Sequence, residues 1–440
     1  MSKIKNFSRK LMPKRLLDSL HYPEAIIYSR KHGRPAQSMI IIGIVGSKGK
    51  TTTANLLWSA LSAAGHKVGQ IGTANIRIGD REELNKWHMT MPGAPLMQKI
   101  LKQMQVSGCE YVIMEVPSEA QAQWRHIGIS FDMLVFMNVE REIMAAHRNS
   151  MEVLNTHNKR VFKSMARAPQ KTSSNGKFEK TIIANIDSKY AKEYMNFSVD
   201  KKITFSINNS SDFQATKVST SLSGTTFDIK NYKYHINLIG DINAINGAAT
   251  VVAATELGMN PQQIQAGFDK LTTVPGRMEP IDEGQKFAVF VDYAHDPVSL
   301  QALMKTGEEL RKSGRKLIVH IGGQGGGRDQ EKLPELGKIA GSHADYVVIS
   351  DDDPYDEPPM DIINAIAKGA VDSGKIEDKD LFLIQDRRAG IHKALELAKP
   401  GDIVFIACKG ADQLMMLAHG KSIEWDDRTV TREELRKLIK

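Results

Sequence analysis

An apolar run beginning at Met39, MIIIGIVG, leads without interruption into GSKGKTTT and then into ANLLWSALSAAG, which closes at Gly65. A continuous apolar stretch of this length predicts a strand buried on both faces, and the following segment predicts a helix ended by glycine. Strand, glycine turn and helix in this order let successive backbone N–H groups and a helix N-terminus wrap a polyphosphate. The candidate nucleotide-binding residues are therefore Gly46, Ser47, Lys48, Gly49, Lys50, Thr51 and Thr52. Lys50 would neutralise the β/γ oxygens of ATP, and the Thr51 hydroxyl would be a Mg²⁺ ligand. The match to GxxxxGK[ST] is incomplete, because Ile44 stands five positions before Gly49.

Further buried strands are expected at YVIMEV (111–116), DMLVFMN (132–138) and TIIANI (181–186), separated by helical stretches, so the sheet should be mostly parallel. Residues 202 to 239 alternate over short segments, which suggests antiparallel strands flanking the same domain. Helices are expected at 244–257 and 261–270, and VPGRMEPIDEGQ then reads as a hinge. Beyond it FAVFVDY, KLIVHIG, DYVVIS, LFLIQ and DIVFIA alternate with helices near 298–312, 330–341, 360–372 and 388–398, a second doubly wound unit. The fold class is α/β: a P-loop ATPase domain at 38–275 and a Rossmann-like C-terminal domain at 276–440, preceded by a basic leader at 1–37.

That leader holds nine Lys or Arg against Asp18 and Glu24, which leaves a net charge of only +1 of the total +8 to residues 38–440. No general basic field exists to track nucleic acid, so no nucleic-acid partner is expected. The leader itself suits either a solvated helix or weak contact with an anionic membrane. Cys109 and Cys408 are too few for a disulfide framework, and no apolar run reaches the ~18 residues that span a bilayer. A cytoplasmic chain is expected.

At the end of the 111–116 strand, on the edge where α/β sheets bind ligands, lie Glu115, a candidate metal ligand, and Ser118. Together with the phosphate loop, the segment EVPSEAQAQWRHIGISFDMLVFMNV resembles the Mur ligase family, ATP-dependent amide-bond-forming enzymes of peptidoglycan synthesis. Within it the chain is most similar to the tripeptide-synthetase branch, which adds the third peptide residue. The resemblance places Arg125 where the family has an arginine for the nucleotide-sugar substrate. It sets Thr90 and Pro92 of HMTMPGAP in the substrate loop, with Met91 replacing a threonine. It also implies that Lys159 of NTHNKRVF reacts with CO₂ to form a carbamate that helps ligate the metal. By the same resemblance Asn246 (GDINAINGAA), Arg277 (VPGRME), Asp292 and His295 (VDYAHDPVSL) contact the adenine nucleotide, with His295 also a catalytic candidate beside Lys50 and Lys159. Lys409, Asp353, Asp356 and Glu357 are the candidate rim for the amino acid, and each would equally suit a solvated loop.

Three departures qualify the likeness. Glu142-Ile143 replaces an Asp-His pair, removing an expected Mg²⁺-binding histidine, and nearby His147 reads as a surface residue on a helix. Asp352-Asp353-Pro354-Tyr355 replaces Asp-Asn-Pro-Arg, so the arginine fork for diaminopimelate is missing. The family's separate uridine-binding N-terminal domain has no counterpart in the 37 residues before the ATP domain, which leaves uridine binding to another arrangement, a different acceptor or another chain.

The expected chemistry is the transfer of the ATP γ-phosphoryl group to a carboxylate, giving an acyl phosphate that an amine captures, with catalysis by alignment and charge neutralisation. The partners would be an amino acid and a UDP-muramoyl-peptide-like acceptor. Alternatives are a related ligase acting on folate or a lipid-linked muropeptide, or an ATP-binding interaction protein without turnover.

Overall fold

The computed structural model describes residues 14–87, 89–141, 144–173 and 176–439. The first lobe begins with helix α1 (Lys14–Lys31) and is built on strands β1 (Ile40–Val45), β2 (Val68–Ile71), β3 (Asn75–Ile78), β4 (Arg81–Leu84), β5 (Tyr111–Val116) and β6 (Met133–Phe136). Helices α2 (Lys50–Ala63), α3 (Ala94–Val106), α4 (Ser118–Ala122) and α5 (Met151–Arg167) connect them. After the two-residue strands β7 (Thr172–Ser173) and β8 (Gly176–Lys177) come β9 (Thr181–Asn185), α6 (Ala191–Met195), β10 (Lys201–Ser206) and β11 (Phe213–Gln214). The main sheet has the order β11-β10-β9-β6-β1-β5-β2-β3-β4, parallel from β11 to β2, with β3 and β4 added as an antiparallel hairpin.

Central β1 is apolar along its whole length because both its faces are covered. On one side Leu56, Leu57, Ala60 and Leu61 of α2 pack with helices α7 (Ile242–Glu256) and α8 (Pro261–Lys270). On the other, Met97, Leu101 and Met104 of α3 pack with Leu154, Val161 and Phe162 of α5. Gly43 is needed in β1, since a Cβ there would lie 2.6 Å from Leu134.

Two expectations are corrected. The 201–206 segment is a parallel strand of the main sheet beside β9, and the antiparallel part is a separate three-stranded sheet of β12 (Thr216–Ser221), β13 (Gly224–Ile229) and β14 (Tyr232–Ile236). An outlying strand exposes one side, so it alternates like an antiparallel one. The leader is not wholly free either. Residues 1–13 lie outside the described residues, but α1 buries Ala25 and Ser29, one helical turn apart, and the Ser29 hydroxyl donates to Gly128 O at 2.9 Å.

The second lobe is a six-stranded sheet of β15 (Glu279–Pro280), β16 (Ala288–Val291), β17 (Leu317–Gly323), β18 (Tyr346–Asp351), β19 (Leu381–Leu383) and β20 (Ile403–Ile406). The order is β15-β16-β20-β17-β18-β19, parallel except for β15. Helices α9 (Pro297–Leu310), α10 (Lys332–His343) and α11 (Pro359–Asp372) cover one face, and α12 (Arg387–Glu396) and α13 (Asp427–Ile439) the other. A small ladder of β21 (Leu414–Met416) and β22 (Ser422–Glu424) lies beyond β20. The five strands expected in this lobe fall at β16, β17, β18, β19 and β20, whereas β15, β21, β22 and the terminal helix α13 were not expected. Among the described residues no helix is long and apolar enough to cross a membrane.

Candidate active site

Between β1 and α2 the chain turns through Gly46 (φ +152°) and Gly49 (φ +83°). A Cβ on Gly49 would meet Asn246 Oδ1 at 2.4 Å, so no larger residue fits beneath α7. The loop is pinned to the end of β6: Ser47 N–H donates to Asn138 O at 3.2 Å and Lys48 N–H to Asn138 Oδ1 at 2.8 Å. The leading amides of α2 have no carbonyl within the helix to bond, which makes its N-terminus an anion site. Lys50 Nζ rests on the loop carbonyls of Gly46 (2.5 Å) and Ser47 (3.0 Å).

Beside the loop, Glu115 is fully buried at the end of β5. Its carboxylate accepts from Thr51 Oγ1 (2.9 Å), Thr73 N–H (2.8 Å) and Thr73 Oγ1 (3.0 Å). Thr90 joins this chain through its 2.8 Å hydroxyl contact with Thr73. Thr51 and Glu115 thus offer oxygen donors next to the phosphate loop, the donor set Mg²⁺ takes when phosphate oxygens and water complete its shell. Among the described residues no group of three or more His, Cys, Asp or Glu side chains could hold a metal unaided.

Two expectations for this region are corrected. Lys159 is not brought to Glu115: its ammonium lies 2.6 Å from Glu193 on the flank of α5 and lines no part of the cavity, because adjacent helix positions point about 100° apart. Its neighbour Asn158 faces inward, fully buried, with Oδ1 accepting from Gln121 at 3.1 Å. His147 is not a surface residue. It lies buried in a short 3-10 turn, with Nε2 2.8 Å from Ser118 Oγ and Nδ1 2.8 Å from His157 Nδ1. Glu142 and Ile143 lie outside the described residues.

One cavity of about 710 Å³ runs from the phosphate loop to the second lobe, lined by Lys48, Lys50, Thr51, Thr52 and Glu115 on one side and Arg277, Asp292, His295 and Asp296 on the other. Asn246 also lines it, and its buried Oδ1, an acceptor turned toward Gly49, has no hydrogen-bond partner among the described residues. The Arg277 guanidinium lies over the Tyr293 ring at 4.5 Å and reaches to 3.5 Å from Thr51 Oγ1 in the first lobe. Asp292 is occupied with backbone, accepting from Met278 N–H (2.7 Å) and Ala294 N–H (2.9 Å). Burial raises its pKa, against the opposing charge of Arg277. Burial, aided by the Lys332 ammonium, pushes the His295 imidazole down to about 3, which keeps it neutral near pH 7.

On the acceptor side, Thr90, Ser118 and Arg125 line the cavity. Arg125 is held by Met91 O at 2.6 Å. Pro92 does not line it; this residue is buried behind the loop.

The expected amino-acid rim is also corrected, since none of Asp353, Asp356, Glu357 and Lys409 lines the cavity. Lys409 and Asp353 form a fully buried ion pair at 2.8 Å, with Asp352 3.3 Å from the same ammonium. Asp356 is exposed and takes His419 N–H at 2.7 Å, while Glu357 holds the glycine turn through Gly326 N–H (2.7 Å) and Gly327 N–H (3.1 Å). Asp352, Asp353 and Lys409 build a buried wall of the lobe, and Asp356 and Glu357 hold loops.

Gln324, Arg328, Lys332, Tyr355 and Asp412 are among the residues that face the cavity here. Tyr355, which stands in place of the expected arginine, meets Arg328 Nη2 at 3.3 Å, so a different arginine reaches the same rim from the glycine-rich turn. Burial pushes the Asp412 carboxyl up to about 7, although Lys409 opposes this. Arg328 and Lys332 lie in the glycine-rich segment GGQGGGRDQEK and Asp412 in ACKGADQ, so the charged members of these two segments are the sequence signal for this side of the site.

Residues 44–254 match the family description "Mur ligase middle domain" and residues 276–410 match "Mur ligase, glutamate ligase domain". A UDP-N-acetylmuramoyl-L-alanyl-D-glutamate--2,6-diaminopimelate ligase of Syntrophomonas wolfei is 32% identical over 420 residues, covering 94% of this chain and 82% of its own. A UDP-N-acetylmuramyl-tripeptide synthetase of a Roseiflexus species is 31% identical, covering 92% of this chain and 80% of its own. Among solved structures, a diaminopimelate ligase of the first type superposes with TM-score 0.59 at 26% identity, over 91% of this chain and 79% of that one. A Mycobacterium tuberculosis folylpolyglutamate synthase superposes with TM-score 0.67 over 97% of both chains at 15% identity, a likeness of fold alone.

Proposed function

The chain belongs to the Mur ligase family, ATP-dependent ligases of peptidoglycan synthesis, and from that premise we propose that it joins an amino acid to the terminal carboxylate of a UDP-muramoyl-peptide-like acceptor. The observation that carries this reading is the single cavity that the phosphate loop and Glu115 share with Arg277, His295 and Asp296 of the other lobe. We divide the chain accordingly into a leader at 1–37, an ATP domain at 38–275 and an amine-delivering domain at 276–440.

ATP would lie with its β and γ phosphates on the loop amides and Lys50, and the bound Mg²⁺, on Thr51 and Glu115, would offset charge between the two reacting anions. Thr52, Asn246, Arg277 and Asp292 would complete the nucleotide site. A carboxylate oxygen of the acceptor, oriented by Arg125, Ser118 and Thr90, attacks the γ-phosphorus and ADP leaves. The amine nitrogen then attacks the acyl carbon, phosphate leaves, and the nitrogen loses a proton. Neutral His295 is placed to accept a hydrogen bond and not to add a cation. Closure of the lobes keeps water from the acyl phosphate. Lys159 has no part in this scheme. The amino acid would meet Arg328 with a carboxylate and Asp412 with an ammonium group.

A panel of amino acids and acceptors, read by product mass with ¹⁸O in the acceptor carboxylate, tests the reading. One ¹⁸O should pass to the phosphate released in each ligation, and none passing would end it. We propose the cytoplasm as the site of the reaction, where its nucleotide would be drawn. We also propose weak contact of the basic leader, residues 1–37, with anionic lipid, to be dropped if deletion of those residues leaves vesicle flotation unchanged.

A further inference from the structure

The tip of the phosphate loop carries a second lysine. Lys48 has its backbone fixed on both sides by Asn138, N–H donating to Oδ1 at 2.8 Å and the carbonyl accepting from Nδ2 at 3.3 Å. Its side chain leaves the loop and crosses the cleft, where the ammonium forms an ion pair with Asp296 of the second lobe. Asp296 is not a mobile surface carboxylate. It caps α9, with Oδ1 accepting from Ser299 N–H (3.1 Å) and Oδ2 from the Ser299 hydroxyl (2.9 Å). The preceding turn is tied down by Lys332, whose ammonium donates to His295 O at 2.9 Å. Burial alone would raise the Asp296 carboxyl, but Lys48 and the Ser299 N–H hold it below the ordinary carboxylate range.

The pair is shielded: the Asp296 side chain is 9% exposed and that of Lys48 20%. Arg141 also pairs across the cleft, with Asp329 at 2.7 Å and Glu331 at 3.5 Å, but it is 45% exposed, where water and salt leave little attraction. An ammonium has three N–H donors, and a carboxylate partner leaves at least one for another anion. Lys48 and Lys50 line the same cavity, so a donor not taken by Asp296 is available to an anion bound there. Because Asp296 is bonded to its own helix, it moves only with its lobe. Opening the cleft would carry it away and free a long lysine side chain to sample many rotamers.

We propose that Asp296 is a positioning residue for ligation: from the second lobe it holds the Lys48 ammonium over the phosphate loop, so that this charge is aligned with the terminal phosphoryl group only when the lobes are closed. The kinetic part of the test rests on the ligase reading, and the conformational part does not.

Asp296→Asn keeps the Oδ1 acceptor for the Ser299 N–H and removes the charge, while Lys48→Met removes the ammonium at similar length. Asp296→Asn should lower kcat about tenfold with KM for ATP changed less than about threefold, and should have no further effect in the Lys48→Met background, since both changes break one contact. A full-length protein labelled at Val106→Cys and Val371→Cys, both exposed positions on different lobes, reports the interlobe distance by energy transfer without turnover. In the nucleotide-free protein the closed population should fall in both variants. An Asp296→Asn enzyme with unaltered kcat, an equal loss with and without Lys48, or an unchanged interlobe distance would each overturn the proposal.

Discussion

Replacing Glu115 by glutamine separates the charge of that residue from its shape. The carboxylate receives three donors, Thr51 Oγ1, Thr73 N–H and Thr73 Oγ1. Only the Thr73 N–H is unable to reverse its role, so the glutamine oxygen must take the Oε1 position and its NH₂ the Oε2 position. Both threonine hydroxyls can then turn to accept from that NH₂, Thr73 passing its own proton to Thr90 Oγ1 while the Thr51 proton gives up its carboxylate acceptor. What is lost is the charge-assisted part of three hydrogen bonds, together about 2 kcal/mol. For a lobe of this size that lowers Tm by about 4–8 °C. The reaction loses much more, because a preorganised charge beside the phosphates is gone: about 3–4 kcal/mol, or 10²–10³ in kcat. Steady-state ADP release over a Mg²⁺ titration should show this fall and a higher half-saturating Mg²⁺ concentration, while metal-free ATP binding changes less than about threefold. A variant within tenfold of the parent at equal Mg²⁺ would refute the metal role. A Tm loss above about 15 °C would refute the hydrogen-bond accounting instead.

Lys50→Ala should lose at least about 10² in kcat by the same assay, since a cation aimed at the β/γ phosphates is removed. Lys159→Ala should stay within about twofold and gain nothing from added short carboxylates, because its ammonium serves Glu193. A loss rescued by carboxylate would restore the carbamate role. Arg387 and Asp427 form a fully buried bidentate pair at 2.8 and 2.6 Å, so Arg387→Met should cost about 3–5 kcal/mol of second-lobe stability in urea. A change under 1 kcal/mol would show that the lobe relaxes around the lone carboxylate. Asp412 has its folded-state value raised to about 7, above that of the unfolded chain, so the folded protein binds the extra proton and loses stability as pH rises from about 4 to 7. The Tm advantage of Asp412→Asn should therefore grow across that window, and a difference that stays flat with pH would contradict the assignment.

The helix and strand pattern of the second lobe was legible because its strands are buried on both faces and separated by long helices. In the first lobe the outer strand 201–206, second from the edge, was misread, and the polar hairpin Asn75–Leu84 was missed, because partly exposed strands carry a weak or ambiguous apolar pattern. The phosphate loop was legible for a local reason. Its chemistry is that of consecutive backbone amides, and consecutive residues fix where these lie. Lys159 failed for an equally local reason: a one-residue difference on a helix turns a side chain from the core to the flank, and Asn158 took the inward place.

By itself the sequence determined the elements whose function depends on neighbours in the chain: the Gly46–Thr52 turn, the strand ends bearing Glu115 and Asp292, and the order of the two lobes. The tertiary structure alone decided which charges meet. Asp353 and Lys409 are 56 positions apart and neutralise one another inside a wall, whereas Lys48 and Asp296, 248 positions apart, face one another across a cleft. A charged side chain has the same letter in a wall and in a pocket. Its role is set by the desolvation it suffers and the partner that offsets it, and both arise only once the chain has folded.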